Sequence, residues 1–188
     1  MRKSLTLLAA AATLSTGAFA ADYAIDPTHT FATFEIGHFG ASVNRGRFDK
    51  KEGKVTFDKA AKTGTVDISF DVASVNTGTP NFDKHLQSAE ILNAEKFPKA
   101  RFVSTQFHFN GDKVSAVDGN LTLLGKTQPV TLKANQFNCF ESPIFKREVC
   151  GGDFETTIDR TAFGVDYGVN WGFPKAVRLV IQVEAVKQ

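Results

Sequence analysis

The chain has 188 residues and a formal charge of +2, from 22 Lys and Arg against 20 Asp and Glu. That length supports one domain with a substantial core, and a near balance of charge without a Lys/Arg run argues against nucleic acid as a partner. The apolar run from Leu5 to Phe19 is too short and too rich in Ala and Thr for a transmembrane helix.

Residues 1–20 read instead as a secretory signal peptide, with Arg2 and Lys3, an apolar stretch, and Ala18-Phe19-Ala20 as the cleavage site. The expected mature domain is 21–188, exported and, in a Gram-negative source, periplasmic. No Cys follows the cleavage site, which weighs against a lipoprotein anchor. Removing Arg2 and Lys3 lowers the basic count from 22 to 20, so the mature chain is neutral.

From His29 the pattern is strand: Ala32, Phe34, Ile36 and His38 share one face, and His29, Phe31, Thr33 and Glu35 the other. A bend rich in Gly, Arg and Lys is expected from Gly46 to Gly53, after which Val55 and Phe57 resume the alternation. Val66, Ile68 and Phe70 alternate with Thr65, Asp67, Ser69 and Asp71 in the clearest strand of the chain. Between Thr77 and Phe102 the period changes. Phe82, Leu86, Ala89 and Leu92 recur at helical steps, Thr79 is placed to cap, Pro80 suits the first helical position, and Pro98 stops the run. Its apolar face is expected to close one end of the fold, with Phe82–Phe97 as a gate.

Strands are then expected over Arg101–Phe109, Lys113–Leu124, Gln128–Cys139, Cys150–Asp159 and Val177–Val186, with hairpin turns at Asn110-Gly111-Asp112 and Gly125–Pro129. Arg160–Pro174 is a loop of Gly and aromatic residues. Cys139 and Cys150, in an export-bound chain and without C-x-x-C spacing, point to a disulfide. About eight long antiparallel strands joined mostly by hairpins favour an all-β, up-and-down barrel with one short helical segment, about 80–97, at one end. Of the 18 Phe, 17 remain after cleavage, which suits a greasy lining around one ligand.

Chemistry is sparse. His29, His38, His85 and His108 have no metal-ligand spacing, no nucleophile motif or phosphate loop occurs, and no metal or cofactor is expected. Asp83 and His85 point apart on a helix, so Asp83 is expected to favour the helix start. Arg160 reads equally as an arginine at a cavity mouth or as part of a turn-stabilising ion pair.

At Asp83-x-His85-Leu86-x-Ser88 the sequence resembles the YceI-like family of bacterial periplasmic polyisoprenoid-binding proteins. The resemblance extends through Tyr23-x-Ile25-Asp26-Pro27-x-His29-Thr30, Phe34, His38, Gly46-x-Phe48, Phe97-Pro98, Phe102-x-Ser104-Thr105, Gly119–Val130 and Arg160-x-x-Phe163-Gly164. It implies a lipocalin-like barrel, no catalytic set, and a long isoprenoid of quinone or polyprenyl type as the bound lipid. Two departures stand out. Phe82 replaces the family's usual Arg, and the Cys139–Cys150 hairpin is not a general family feature.

Alternation and resemblance together nominate a ligand-binding set. On the early strands and the helical segment these are Phe34, Ile36, His38, Ile68, Phe70, Phe82, His85, Leu86, Ile91, Leu92 and Phe97. Later positions are Phe102, Leu121, Leu123, Leu132, Arg160, Phe163, Tyr167 and Trp171. The expected function is a periplasmic carrier or buffer of that lipid, not an enzyme. The alternative is an enzyme on a hydrophobic substrate using His38, His85 or Arg160. Expected partners are a hydrophobic small molecule and a transiently contacted membrane, with a homodimer left open. An outer-membrane barrel is rejected, because Thr65, Asp67, Ser69 and Asp71 would face lipid.

Overall fold

A computed structural model describes residues 20–188; the expected signal peptide, apart from Ala20, lies outside the described residues. The elements in order are β1 (Ala21–Ile25), β2 (Phe31–His38), β3 (Ser42–Phe48), β4 (Lys51–Asp58), β5 (Thr63–Asp71), β6 (Val75–Asn76), α1 (Pro80–Gln87), β7 (Lys99–Asn110), β8 (Lys113–Leu123), β9 (Lys126–Glu141), β10 (Glu148–Asp159) and β11 (Ala176–Lys187).

These segments make eight staves of a closed antiparallel barrel. Three staves are broken. β1 and β2 both pair with β11, through Ala24↔Val186 and Ala32↔Ile181, and so form one stave interrupted at 26–30. On its other side β1 pairs with β4 and β2 with β3, which form a second stave bent at Asp49-Lys50. β5 and β6 form the third, separated by a short 3-10 turn that Asp71 caps by accepting from the Ala73 amide. The β1–β11 and β2–β11 seams close the cylinder, so only short stretches of edge need blunting.

The expected bend from Gly46 to Gly53 is therefore mostly strand. Gly46 is accommodated because the Phe34 ring of β2 lies over it, 2.5 Å from where a Cβ would stand. The strand expected from His29 begins at Phe31. Asp26 accepts from the Thr28 amide and hydroxyl (2.8 and 2.6 Å) and bonds His29 Nδ1 at 2.8 Å, which folds 26–29 into a turn. A five-residue strand, β1, precedes that turn.

The helix is shorter than its apolar period suggests. α1 ends at Gln87, and 88–97 continue as turns through bonds such as Asn93 N to Ser88 O (2.8 Å) and Phe97 N to Asn93 O (2.9 Å). Pro80 takes the first turn as expected, but Thr79 makes no side-chain cap. Asp83 secures the start instead, accepting from the Thr77 amide and hydroxyl at 2.7 and 2.6 Å. The β8–β9 turn also differs. It is the pair Leu124-Gly125, both left-handed at φ 49° and 72°, with β9 already under way at Lys126.

Candidate functional site

The inward faces of the staves enclose a cavity of about 610 Å³, lined almost wholly by apolar side chains. Because side chains alternate along a strand, Phe34, Ile36 and His38 of β2 enter it together, as do Val66, Ile68 and Phe70 of β5 and Leu121 and Leu123 of β8. One end is floored by aromatic rings. Phe57 packs on Tyr23 (6.5 Å), Phe107 (6.5 Å), Phe109 (6.2 Å) and Phe137 (5.5 Å). Within that floor the Tyr23 hydroxyl donates to Glu148 at 2.7 Å; burial first, and then Glu148, pushes the phenol pKa up and keeps it neutral.

The other end is the mouth. There α1 and the turns after it contribute Phe82, His85, Leu86, Ile91 and Leu92 to the lining, and the loop between β10 and β11 contributes Val165, Tyr167, Trp171 and Phe173. His85 meets Tyr167 edge to face at 5.1 Å, and Tyr167 meets Trp171 in the same way at 5.3 Å. Most polar groups of the lining are at this end, His38, Asn44, His85, Arg160 and Tyr167; Thr33 of β2 and the Tyr23 hydroxyl in the floor are the exceptions.

Among the described residues Arg160 makes no ion pair. It is buried, its Nε donates to the Pro174 carbonyl (2.9 Å) and its Nη1 to the Val165 carbonyl (2.7 Å), so it ties the mouth loop to the wall. Burial lowers its pKa, and Nη2 has no hydrogen-bond partner among the described residues. Asp159 caps the turn that starts at Arg160 by accepting from the Thr161 amide and hydroxyl. Among the described residues no hydrogen bond joins His38, His85 and Arg160 to one another, and all three line the cavity.

Of the residues nominated from sequence, Phe34, Ile36, His38, Ile68, Phe70, Phe82, His85, Leu86, Ile91 and Leu92 line the cavity, as do Phe102, Leu121, Leu123, Leu132, Arg160, Tyr167 and Trp171. Two do not. The Phe97 ring packs against Gly125, 3.0 Å from where a Cβ would be, and clamps the β8–β9 turn from outside. Phe163 is buried at 1 % exposure but borders the shallow outer groove beside Pro129, Thr157 and Asp159. The part of this segment that lines the cavity thus runs from Phe82 to Leu92, without Phe97.

Sequence reasoning missed Tyr23, Phe39, Phe48, Phe57, Phe107, Phe137, Phe154 and Phe173, all of which line the cavity. Alternation gave a signal for Phe57, in phase with Val55, and for Phe154, in phase with Ile158. Phe39 and Phe173 lie in turns, where no period exists.

Cys139 and Cys150 are disulfide-bonded and face one another across β9 and β10. Outside the cavity, Asp26, His29 and Glu184 each offer one ligand atom within 4.8 Å of the others, a grouping that could hold a cation. Two of its donors are already engaged in the Asp26–His29 bond.

Comparison with known proteins agrees with this geometry. The sequence profile of the YceI-like domain matches residues 23–185. A UPF0312 protein of Shewanella denitrificans is 36 % identical over 197 residues, and Protein YceI of Salmonella arizonae is 37 % identical over 193, each alignment covering both chains completely. Among solved structures, BcnA of Burkholderia cenocepacia superposes with a TM-score of 0.70 at 23 % identity, covering 85 % of this chain and 98 % of that one. A polyisoprenoid binding domain from Saccharophagus degradans superposes with a TM-score of 0.65 at 14 % identity, covering 90 % and 100 %. At those identities the structures establish a shared fold.

Proposed function

The chain belongs to the YceI-like domain family, and from that premise we propose that it is a periplasmic carrier or buffer holding one long isoprenoid, of quinone or polyprenyl type, inside the barrel. The observation that carries this reading is the distribution of polarity in the cavity. An apolar tunnel floored by Phe57 and its neighbours takes the tail, and His38, Asn44, His85 and Tyr167 at the mouth meet the head group. The polyisoprenoid binding domain from Saccharophagus degradans, which has the same fold, supports the choice of ligand class.

Magnitudes favour a filled barrel. At about 24 cal/mol per Å³ an unfilled void of about 610 Å³ corresponds to roughly 15 kcal/mol. The open mouth makes that an upper bound, yet it equals the whole stability of an ordinary domain. An occupant that replaces solvent in the tunnel therefore stabilises the fold. Taking the tail from water would release roughly 0.8 kcal/mol per carbon, more than any affinity observed once dozens of carbons are buried. The competing site is the bilayer, where the tail is already dry. Exchange is then close to neutral in hydrophobic terms, and the mouth sets its direction.

Protein purified without detergent is expected to yield a long-chain isoprenoid on lipid extraction and mass spectrometry, and added quinone is expected to raise the melting temperature of stripped protein. An extract without long-chain lipid, together with an unmoved melting temperature, would remove the reading.

A further inference from the structure

The β2–β3 hairpin turns through Phe39 and Gly40, at φ 50° and 74°, with the Ala41 amide donating to the His38 carbonyl at 3.0 Å. Both residues are left-handed. That suits Gly40, but a bulky L side chain such as Phe39 enters the region only against steric resistance. Phe39 nevertheless stands there, 56 % exposed, and Val43 on the same hairpin is 42 % exposed. Val43 lies outside the cavity lining, and Phe39 joins that lining only at its rim.

Phe39 is continuous with the cavity mouth. Its ring meets Phe173 edge to face at 4.7 Å. Phe173 in turn lies over Gly168 of the same loop, 3.1 Å from where a Cβ would be. That loop carries Trp171, 64 % exposed between Gly168 and Gly172, and continues through Tyr167 to His85 of α1. These rings border the opening as an arc in two pieces, Phe39 with Phe173 and Trp171 with Tyr167 and His85. Exposed charges on the segments that form the mouth are of both signs, Arg45, Lys84 and Lys175 against Glu90 and Asp166, and Arg45 is paired with Glu35 at 2.9 Å.

We infer that this arc of Phe39, Val43, Trp171 and Phe173 is a docking surface for a lipid bilayer, seating the mouth among the lipid head groups while cargo passes. The inference rests on the carrier reading and names the source of the cargo. A tail already dry in the bilayer crosses to the tunnel without meeting water only if the two apolar regions are joined at the mouth. Trp, Tyr and Phe on a rigid rim are the side chains that settle at the head-group boundary. With mixed charge around the rim, docking is driven by apolar contact and changes little with salt. The start of the described chain does not obstruct the face. Ala21 lies at the far end of the stave that ends at His38.

The chain has one tryptophan, and it is on this face, so its fluorescence reports docking directly. Stripped protein is mixed with vesicles of phosphatidylethanolamine and phosphatidylglycerol that contain no isoprenoid. The expected results are a blue shift of Trp171 emission and sedimentation with the vesicles, little changed by added salt. Val43→Asp, outside the cavity lining, is expected to weaken vesicle association at least tenfold while quinone uptake from solution stays within twofold. Phe39→Asn is expected to weaken association too, yet raise the melting temperature by about 2–4 °C, because Asn tolerates the left-handed turn. Ile144→Asn, at the opposite end, is expected to leave association unchanged. An unshifted Trp171 spectrum, full association of Val43→Asp, or an equal loss in Ile144→Asn would overturn the assignment. A dimer broken by Val43→Asp in the absence of vesicle binding would overturn it as well and give the face to a second copy. Quinone uptake is measured separately, so failure of the carrier reading shows there and not in the vesicle assay.

Discussion

Arg160 donates from Nη1 to the carbonyl oxygen of Val165 at 2.7 Å, inside the wall and across the neck of the loop that forms half the mouth. A second bond, from Nε to Pro174 at 2.9 Å, pins the other end of that loop. Loss of the side chain frees both carbonyls and the loop with them. Arg160→Ala is therefore expected to cost roughly 3 kcal/mol in urea denaturation, at 1.5–3 kcal/mol per charge-assisted bond less what water restores. Arg160→Lys is expected to recover less than half, since one ammonium does not reproduce the two-sided fork.

The Asp26–His29 turn makes stability depend on pH at both ends of the range. Burial opposes the Asp26 charge, but hydrogen bonds from His29 and Thr28 outweigh it and hold the carboxyl at about 2, below the ordinary 3.8. A depressed folded pKa gives stability that is present above the ordinary value and lost as pH falls towards 2, here roughly 2 kcal/mol. Asp26 in turn raises the pKa of His29, whose contribution is complete below the ordinary 6.5 and fades as pH rises through the elevated value. Melting temperature should fall from pH 4 towards pH 2, less steeply in Asp26→Asn. The decline above pH 6.5 should flatten in His29→Asn.

The Cys139–Cys150 bond closes a short loop at the base of the β9–β10 hairpin, whose tip carries Ile144 at 83 % exposure. Removing the cross-link should cost about 3 kcal/mol on the chain-entropy model. The paired Cys139→Ala, Cys150→Ala variant is expected to show that loss by chemical denaturation, and to keep its ligand, because Cys150 touches only one wall of the cavity.

Filling the tunnel should exclude the cargo without unfolding the barrel. Ile181 of β11 faces the void from mid-strand, opposite Ala32 and Phe154 in the pairing. Ile181→Trp places a larger ring in empty space and not against a packed neighbour, so the melting temperature of stripped protein should hold or rise. Quinone uptake should fall at least tenfold. An unchanged uptake would show that the tail does not reach the middle of the barrel.

Much of this architecture is legible from period alone, where a strand is long and has one apolar face. Phe34, Ile36 and His38, and equally Val66, Ile68 and Phe70, share one face as their alternation predicts, and that face is the cavity's. The sequence misleads where local hydrogen bonding outcompetes the ladder. Asp26 captures Thr28 and His29 and cuts a stave in two, which hides the five-residue β1. Gly46 reads as a bend but serves as a seat for the Phe34 ring, a long-range fit with no local signal. Phe97 continues the helical period of its segment yet packs outward, because the helix stops at Gln87 and turns replace it. The rim residues Phe39 and Trp171 sit in left-handed or glycine-bounded turns, where no alternation applies.

The seam between β2 and β11 joins Glu35 to Arg178, and β1 to β11 joins Tyr23 to Lys187. The first staves made by the ribosome thus wait for the last before the cylinder closes. Until then the phenyl rings of the interior form an open trough on a growing chain, and non-local pairing of this kind is slow. The greasy surface that ends up inside the closed barrel is, during biogenesis, the surface a holding chaperone would have to cover.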